Sequence, residues 1–333
     1  MSDARLELLK QWLTKELGDV EYAIEVASAD ASFRRYFRIT IDGETMIVMD
    51  APPEHESVDK FIKTAKMFAR IGVNVPLIKA EDVDQGFLLI TDLGIREYQD
   101  ELNNKTVDRL YGDALAALLT IQASGTEVDI PEYDMPLLMR EMEIFREWYL
   151  EKHLAYPLTD ELNNKITKAF EFLASSALEQ PRVVVHRDYH SRNLLITDQH
   201  NPGIIDFQDT VIGPVTYDLV SLLRDCYIDW PKEQVLQWVH GFHENCTQSG
   251  IIKGVDEATF VRWFDLMGVQ RHLKASGIFA RLNYRDGKSG YLPDIPRTLG
   301  YVGDVASRYP ELSDLASLLD SIDINQHKLK ETI

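Results

Sequence analysis

Between Val183 and Asp209 the chain reads Val-Val-Val-His186-Arg187-Asp188-Tyr-His190-Ser-Arg192-Asn193. It continues through Leu194 to Thr197, the turn-forming Asp198-Gln-His-Asn-Pro-Gly203, and Ile204-Ile205-Asp206-Phe207-Gln208-Asp209. The β-branched run Val183 to Val185 predicts a buried strand that delivers His186-Arg187-Asp188 into a polar loop. Two short apolar runs either side of the turn formers predict a β-hairpin. Asn193 falls just before its first strand and Asp206 at the end of its second. Both then arrive at the open end of the hairpin, beside the loop that carries Asp188.

Three such side chains suit one chemistry well. Asn193 and Asp206 offer the hard oxygen ligands that Mg²⁺ prefers when it is shared with phosphates. Asp188 can accept a proton from an attacking hydroxyl, a contribution of about 10²–10⁴-fold in rate. The pattern is that of phosphoryl transfer, H-R-D-x-x-x-x-N followed by D-F-x. An ordinary buried hairpin with polar ends is one alternative. Another is a metal-dependent hydrolase, in which the alternation His186-x-Asp188-x-His190 would set three ligands on one face of a strand. That reading needs further ligands, and the remaining histidines form no second motif of comparable strength.

The stretch resembles the protein-kinase-like superfamily, most closely its aminoglycoside phosphotransferase branch of small-molecule kinases. The resemblance implies an α+β, two-lobed fold, with an antiparallel sheet and helices in the N-lobe and a mainly helical C-lobe. The lobes are expected at residues 1–94 and 95–333, with ATP and Mg²⁺ as cofactors. Asp188 takes the catalytic role, Asn193 and Asp206 hold the metal, and Asp218 supports the catalytic loop together with His186. Gly213-Pro214-Val-Thr-Tyr217-Asp218-Leu matches the family's helix at that place after D-F-x. His190, Arg192, Gln208 and Arg271 are the acceptor-side candidates.

The N-terminal third follows the same plan, with departures. An amphipathic helix capped by Ser2 or Asp3 should run to about Leu17 and end at Gly18. Strands follow over Tyr22 to Val26 and from Phe33 on, then an Asp42-Gly43 turn and a return over Thr45 to Met49. The turn before the second strand would cover the nucleotide phosphates, yet Ser28-Ala-Asp-Ala-Ser32-Phe has no G-x-G-x-x-G. Ser32, Arg34 and Arg35 are the candidates there, and alternation along a strand lets only one of the two arginines face the nucleotide. Two solvated arginines on an edge strand are the plainer expectation.

The third strand should carry a lysine paired with a helix glutamate, but offers Met49 or Asp50 instead. The glutamate's slot on the next helix (Ser57 to about Ile71) falls near Phe61. A joint loss is physically coherent, since a buried carboxylate without its cation is costly. It leaves Arg34, Arg35 or Lys60 to meet the phosphates. After the strand Gly86 to Thr91, backbone groups of Ile90, Asp92 and Leu93 are placed at the adenine.

From about residue 95 the periodicity is helical, over 107–122, 137–149, 162–178, 231–248 and 257–284. Glu141 falls on the apolar stripe Leu137, Leu138, Met142, Phe145. Arg271, His272 and Lys274 form a basic cluster whose default reading is a solvated face. Tyr291 to Gly300, punctuated by prolines, reads as a loop.

Composition bounds the rest. A chain of 333 residues exceeds one typical core. The formal charge of −19 argues against nucleic acid, which would demand a basic face. It also means that any nucleotide site must be made positive locally. No apolar run is long enough for a membrane span, and the N-terminus reads as a mixed-charge helix rather than a signal peptide. Two cysteines, Cys226 and Cys246, make neither a disulfide framework nor a metal spacing, which favours a reduced cytoplasm.

Four segments narrow the resemblance: Ser28 to Arg38, Val48-Met-Asp-Ala-Pro-Pro53, Phe87-Leu-Leu-Ile-Thr-Asp-Leu-Gly94 and His186 to Leu195. They are similar to the anomeric N-acetylmuramate/N-acetylglucosamine kinases of Gram-negative cell-wall (peptidoglycan) recycling. That similarity implies ATP-dependent phosphorylation of an amino sugar's 1-hydroxyl. The lactyl carboxylate of a muramic acid wants a cation, which Arg192 or Arg271 could supply. Other acceptors (an aminoglycoside, an amino alcohol, another sugar) and a weakly active nucleotide-binding pseudokinase are the alternatives.

Overall fold

The computed structural model describes residues 3–29, 34–125 and 129–331. The chain divides into two units, residues 1–117 with 192–209, and residues 118–191 with 210–333. Compared with a break after residue 94, the units are interleaved, because the hairpin within 192–209 groups with the N-terminal sheet.

In the first unit, helix α1 (Ala4–Leu17) starts where the Asp3 carboxylate accepts the Leu6 N–H at 3.1 Å, and ends at Gly18, whose φ is 75°. The sheet that follows comprises β1 (Ala23–Ala29), β2 (Arg35–Ile41), β3 (Glu44–Asp50), β4 (Ile78–Asp82) and β5 (Phe87–Thr91), in the order β1-β2-β3-β5-β4, antiparallel throughout. Asp42 and Gly43 make the β2–β3 turn with φ of 52° and 87°, the positive pair that a two-residue hairpin requires.

That register sorts the side chains by face. Leu9, Trp12 and Leu13 of α1 cover Phe37, Ile39, Val48, Phe87 and Leu89. Alternation puts Tyr36, Met49 and Leu88, which pair across the sheet, on the opposite face. Asp50 therefore belongs to the α1 side. It is fully buried and receives Arg5 and Arg35, each with one N–O distance of 2.5 Å and one of 3.0 Å. Met49 alone occupies the lysine's face.

Helix α2 (Asp59–Arg70) presents Phe61 and Phe68 to Phe207, with ring centroids 4.8 and 5.9 Å apart. The hairpin carrying Phe207 is short, β7 (Leu194–Leu195) against β8 (Gly203–Ile204). It is tied to the sheet unit by Ile204 N–H to Asn74 O and Ile196 N–H to Arg96 O, both 2.8 Å. Helix α3 (Tyr98–Glu101) follows β5, and the chain passes into the second unit within α4 (Val107–Ala123).

The second unit holds α5 (Met135–Ile144), which continues as a π-helical segment over Phe145–His153, then α6 (Asp160–Leu178). Strand β6 (Arg182–Val185) pairs with β9 (Val211–Pro214) rather than with the hairpin. Then come α7 (Tyr217–Leu223), α8 (Lys232–Gln248), α9 (Glu257–Asp286), α10 (Ile295–Ala306) and α11 (Ser313–Glu331). Helix α9 is buried on every side through its middle, with α5, the π-helical segment, α6, α7 and α10 packed around it. A Cβ on Gly277 would lie 2.5 Å from backbone atoms of Ile144 and Phe145, so only glycine lets α9 approach the point where α5 widens.

The structure departs from expectation in two places. The supposed loop over 291–300 is a 3₁₀ turn ending at Asp294 followed by the start of α10. Pro296 sits in that helix's first turn, where a missing N–H is harmless. The basic cluster is no solvated face, because Arg271, His272 and Lys274 are 7%, 1% and 8% exposed.

Candidate active site

The loop that carries the catalytic candidate Asp188 leaves β6 at Val185, so His186, Asp188 and His190 do not alternate along a strand, as the hydrolase reading required. Among the described residues no group of three or more His, Cys, Asp or Glu side chains is gathered as a metal-ligand set. His186 is fully buried, and its Nδ1 accepts the Asp188 N–H at 3.3 Å.

The loop's shape is fixed from below by two buried carboxylates. Asp218, in the first turn of α7, accepts the His186 N–H at 2.7 Å and the Arg187 N–H at 3.0 Å. Arg187 sits at φ 78°, a left-handed conformation costly for a branched-out side chain, and the Asp218 bonds hold its backbone there. Burial pushes the Asp218 carboxyl up to about 7, against the opposing pull of those two N–H groups and of Arg271. Asp225 does the same office further on, accepting Ser191 N–H at 2.9 Å and Tyr227 N–H at 3.0 Å.

Asp188 lies in a field of cations. Burial alone would raise its carboxyl, but the charges of Lys274, His190, Arg187 and Arg271 outweigh it and hold the group below the usual carboxylate range. Lys274 in turn lies 2.9 Å from Glu141 and donates to the Tyr217 hydroxyl at 3.1 Å. Glu141 also takes the Arg187 guanidinium and the Tyr133 hydroxyl. Burial opposes the charge on Glu141, and Lys274 and Arg187 overcome it, so the carboxylate stays ionised. Burial likewise opposes the Lys274 ammonium, which Tyr217 and Glu141 keep protonated.

Of the acceptor-side candidates in this unit, His190 packs edge-on against Tyr227 at 5.6 Å between centroids. Arg271 is buried with a guanidinium nitrogen 4.0 Å from the Cys226 sulfur.

In the first unit, Asn193 and Asp206 come together at the mouth of the hairpin. The Ile205 N–H bonds to the Asn193 carbonyl at 3.1 Å, and the Asn193 amide lies 3.5 Å from Asp206 Oδ2. Asp206 is at φ 60°, again left-handed without being glycine. Gln208 Nε2 donates to its Oδ1 at 2.7 Å, so Gln208 orients the carboxylate. Here the amide nitrogen faces the carboxylate; a carboxylate with a side-chain amide beside it, its Oδ1 turned to the ion, is a donor set that fits a hard divalent cation. Arg192 Nε donates to Gln99 Oε1 at 2.6 Å.

The nucleotide candidates separate sharply. Ser32 lies outside the described residues. Arg35 is on the α1 face with Asp50 and Asp3. Arg34 is 7% exposed and its Nε is 3.2 Å from Glu56 Oε2. Ile90 is buried in β5. The Asp92 carboxylate bonds Arg38 at 2.6 and 3.2 Å and accepts the Gly94 N–H at 2.9 Å. Burial acts to raise that carboxyl, but Arg38 and the Gly94 N–H prevail and lower it. A side chain at Gly203 would meet Leu93 at 3.0 Å, so Leu93 rests on the hairpin.

Sequence reasoning did not assign roles to Glu141, Asp225, Lys274 or Glu56. For Glu141 a signal existed, a carboxylate on an otherwise apolar helical stripe, which is tolerated only when cations are waiting for it. Lys274 carried the same signal in a helix apolar on every side.

The antiparallel sheet with its covering helix, the H-R-D loop held by a helix aspartate, and the D-F-x hairpin define a protein-kinase-like phosphotransferase fold. The chain belongs to the phosphotransferase enzyme family (APH), whose model matches residues 23–250, and it is a kinase acting on a hydroxyl group. It is 42% identical over 327 residues to the N-acetylmuramate/N-acetylglucosamine kinase of Pseudomonas putida, covering 95% of this chain and 96% of that one. The enzymes of the same name from Pseudomonas aeruginosa and Neisseria meningitidis are each 43% identical, covering 96% and 93% of this chain and 97% and 94% of theirs. Among solved structures, the choline kinase LicA from Streptococcus pneumoniae superposes with a TM-score of 0.62 at 12% identity, covering 90% of this chain and 99% of that one. ADP-bound aminoglycoside phosphotransferase APH(2'')-Ib gives 0.58 at 14%, covering 91% and 99%. At such identities the likeness concerns the fold.

Proposed function

We propose that this enzyme transfers the terminal phosphoryl group of ATP to the anomeric hydroxyl of N-acetylmuramate or N-acetylglucosamine, in the cytoplasmic reuse of cell-wall amino sugars. The observation that carries the reading is the 42–43% identity to kinases of that name over 93–96% of the chain. The described helices include none long and apolar enough to cross a membrane.

On this reading each residue has one task. Asp188, held ionised by the cations around it, accepts the proton of the acceptor hydroxyl as the oxygen attacks. Asn193 and Asp206 would hold Mg²⁺, which when bound neutralises charge developing on the phosphates. Gln208 keeps Asp206 turned for that task. Asp218 and His186 hold the loop, and Ile90, Asp92 and Leu93 border the adenine. Ser32, Arg34 and Arg35 are the phosphate-side candidates; Ser32 lies outside the described residues, and Arg35 is on the α1 face with Asp50. His190, Arg192 and Arg271 serve the acceptor.

The test is an acceptor panel with ADP release as readout, spanning both amino sugars, other hexoses, aminoglycosides and amino alcohols. Turnover confined to the N-acetylated sugars, with phosphate on C1 by NMR, is the expected result. Preference for an aminoglycoside or amino alcohol would overturn the reading.

A further inference from the structure

We infer that Arg38 is a positioning residue for the nucleotide's base, acting through Asp92, whose carboxylate it grips to set the course of the chain just after β5. The inference rests on the kinase reading above, which puts the adenine at Ile90, Asp92 and Leu93, and adds to it the side chain that shapes that segment. All the residues concerned belong to the first unit.

The sheet decides which face Arg38 takes. Phe37 and Ile39 turn to α1, so Arg38 shares the opposite face with Tyr36, Met49 and Leu88. The register sets Arg38 opposite Ile47 of β3, and Ile47 opposite Ile90 of β5. Two carboxylates act on an arginine in that row. Glu25 of β1 is its cross-strand partner on the other side and is exposed. Asp92 lies just past the end of β5, with a side chain only 5% exposed. The guanidinium goes to Asp92, with Nε 2.6 Å from Oδ2 and Nη2 3.2 Å from Oδ1. A cation wanted for its charge alone would rest on Glu25 at the surface, where little desolvation is paid. Reaching inward to a two-pronged grip on a buried carboxylate fixes a direction as well as a charge.

Asp92 passes that direction on to the main chain. The oxygen that takes Nη2 also accepts the Gly94 N–H at 2.9 Å, and Gly94 supplies the positive φ, 95°, that the turn needs. The residues on either side of Asp92 are tied separately. The Thr91 N–H bonds the Leu77 carbonyl at 2.9 Å, and the Leu77 N–H bonds the Thr91 hydroxyl at 2.8 Å. Leu93 rests on the hairpin at Gly203. The Arg38–Asp92 pair is therefore the middle one of three ties on three consecutive residues, and the charged one. A valine or isoleucine at 38 would continue the row Ile47–Ile90 at lower desolvation cost, since a buried ion pair seldom gains stability over apolar residues of like volume. What such a pair provides is a single geometry, here that of the segment which the kinase reading sets against the base.

The test measures adenosine and Mg·ADP binding by calorimetry in the intact enzyme, with no acceptor and no turnover required. Arg38→Met removes the grip and keeps the stem, and should weaken both ligands by the same factor of about 10, as one or two neutral hydrogen bonds lose their alignment. Arg38→Lys, which keeps the charge but not the fork, should fall between wild type and Arg38→Met. Asp92→Ala should weaken both ligands at least as much as Arg38→Met. Adding Arg38→Met to it should cost less than about twofold more, because Arg38 works through that carboxylate. A merely structural fault would lower the number of sites filled and leave the dissociation constants unchanged, and that result would overturn the inference. A loss confined to ADP would overturn it too, by making Arg38 a cation for the phosphates, as would losses that add in the double variant. A wild-type enzyme that bound neither adenosine nor ADP would instead sink the kinase reading itself.

Discussion

Lys274→Met is the substitution that most directly probes the proposal that Asp188 is kept ionised to accept a proton. Lys274 heads the cations that hold the Asp188 carboxyl down. Removing one opposite charge near a buried carboxylate raises it by about one to three units. Arg187, His190 and Arg271 remain, so the lower end applies, and Asp188 should rise by about one unit. A base that is harder to ionise is lost on the acid side first. The acidic limb of the kcat/KM profile should therefore move to higher pH by about one unit, with turnover below the limb reduced about tenfold.

The same change strips a partner from Glu141. At 2.9 Å and an effective dielectric near 20, the attraction lost is about 6 kcal/mol before desolvation is counted. Arg187 stays on Glu141 and the methionine stem fills most of the space, so a net loss of about 3 kcal/mol in urea unfolding is expected. Lys274→Arg keeps the charge and should leave the limb in place. If Lys274→Met loses stability as expected but its acidic limb does not move, Lys274 serves Glu141 alone and the argument about Asp188 fails.

Asp188→Asn should lower kcat by at least about 100-fold with ATP affinity near wild type, and retention of more than about a tenth of kcat would count against a base role. Asp206→Ala should sharply raise the Mg²⁺ concentration needed for half-maximal rate; an unchanged Mg²⁺ titration would move the ligand elsewhere. Asp50→Asn should cost about 3 kcal/mol in urea unfolding, since it leaves Arg5 and Arg35 without their shared carboxylate. Its kcat should stay within about twofold, because Asp50 lies on the α1 face; a large kcat loss at preserved stability would contradict the face assignment. Gly277→Ala should cost about 1–3 kcal/mol by thermal unfolding, and a neutral result would mean that α9 can recede from Ile144.

Much of this fold was legible because its local signals agree. Asp3 and Gly18 bound α1, Asp42-Gly43 makes the hairpin turn, and the two β-branched or apolar runs after Val183 are strands, each as its residues required. What stayed hidden was pairing at a distance. β6 finds β9 across 25 intervening residues (185 to 211), and no periodicity reports which strand a strand will join. The same holds for the buried charges. Arg271, His272 and Lys274 look like a solvated face when taken with their sequence neighbours. They become core only because Glu141, Tyr217 and the backbone of Arg224 come from other elements to meet them. The loss of the strand lysine was visible, but the strand's phase was not. Whether Met49 or Asp50 took its face depended on which one α1 covered.

A chain with 19 more acidic than basic residues has to handle anions without a basic surface, and the placement of its cations shows how. Arg34, Arg271 and Lys274 are each no more than 8% exposed. Buried charges are screened little by salt, whereas exposed ones fade beyond about 8 Å at physiological ionic strength. Each such cation would be prohibitively costly alone, and carboxylates answer them: Glu56 for Arg34, Glu141 for Lys274, and the charges of Asp225 and Asp188 for Arg271. The acid that makes the chain negative overall is thus, at these places, what allows a positive charge to be kept indoors. Removing the carboxylate should weaken the cation's hold even though the net charge becomes less negative, so Glu141→Gln should cost stability in urea unfolding in the same direction as Lys274→Met.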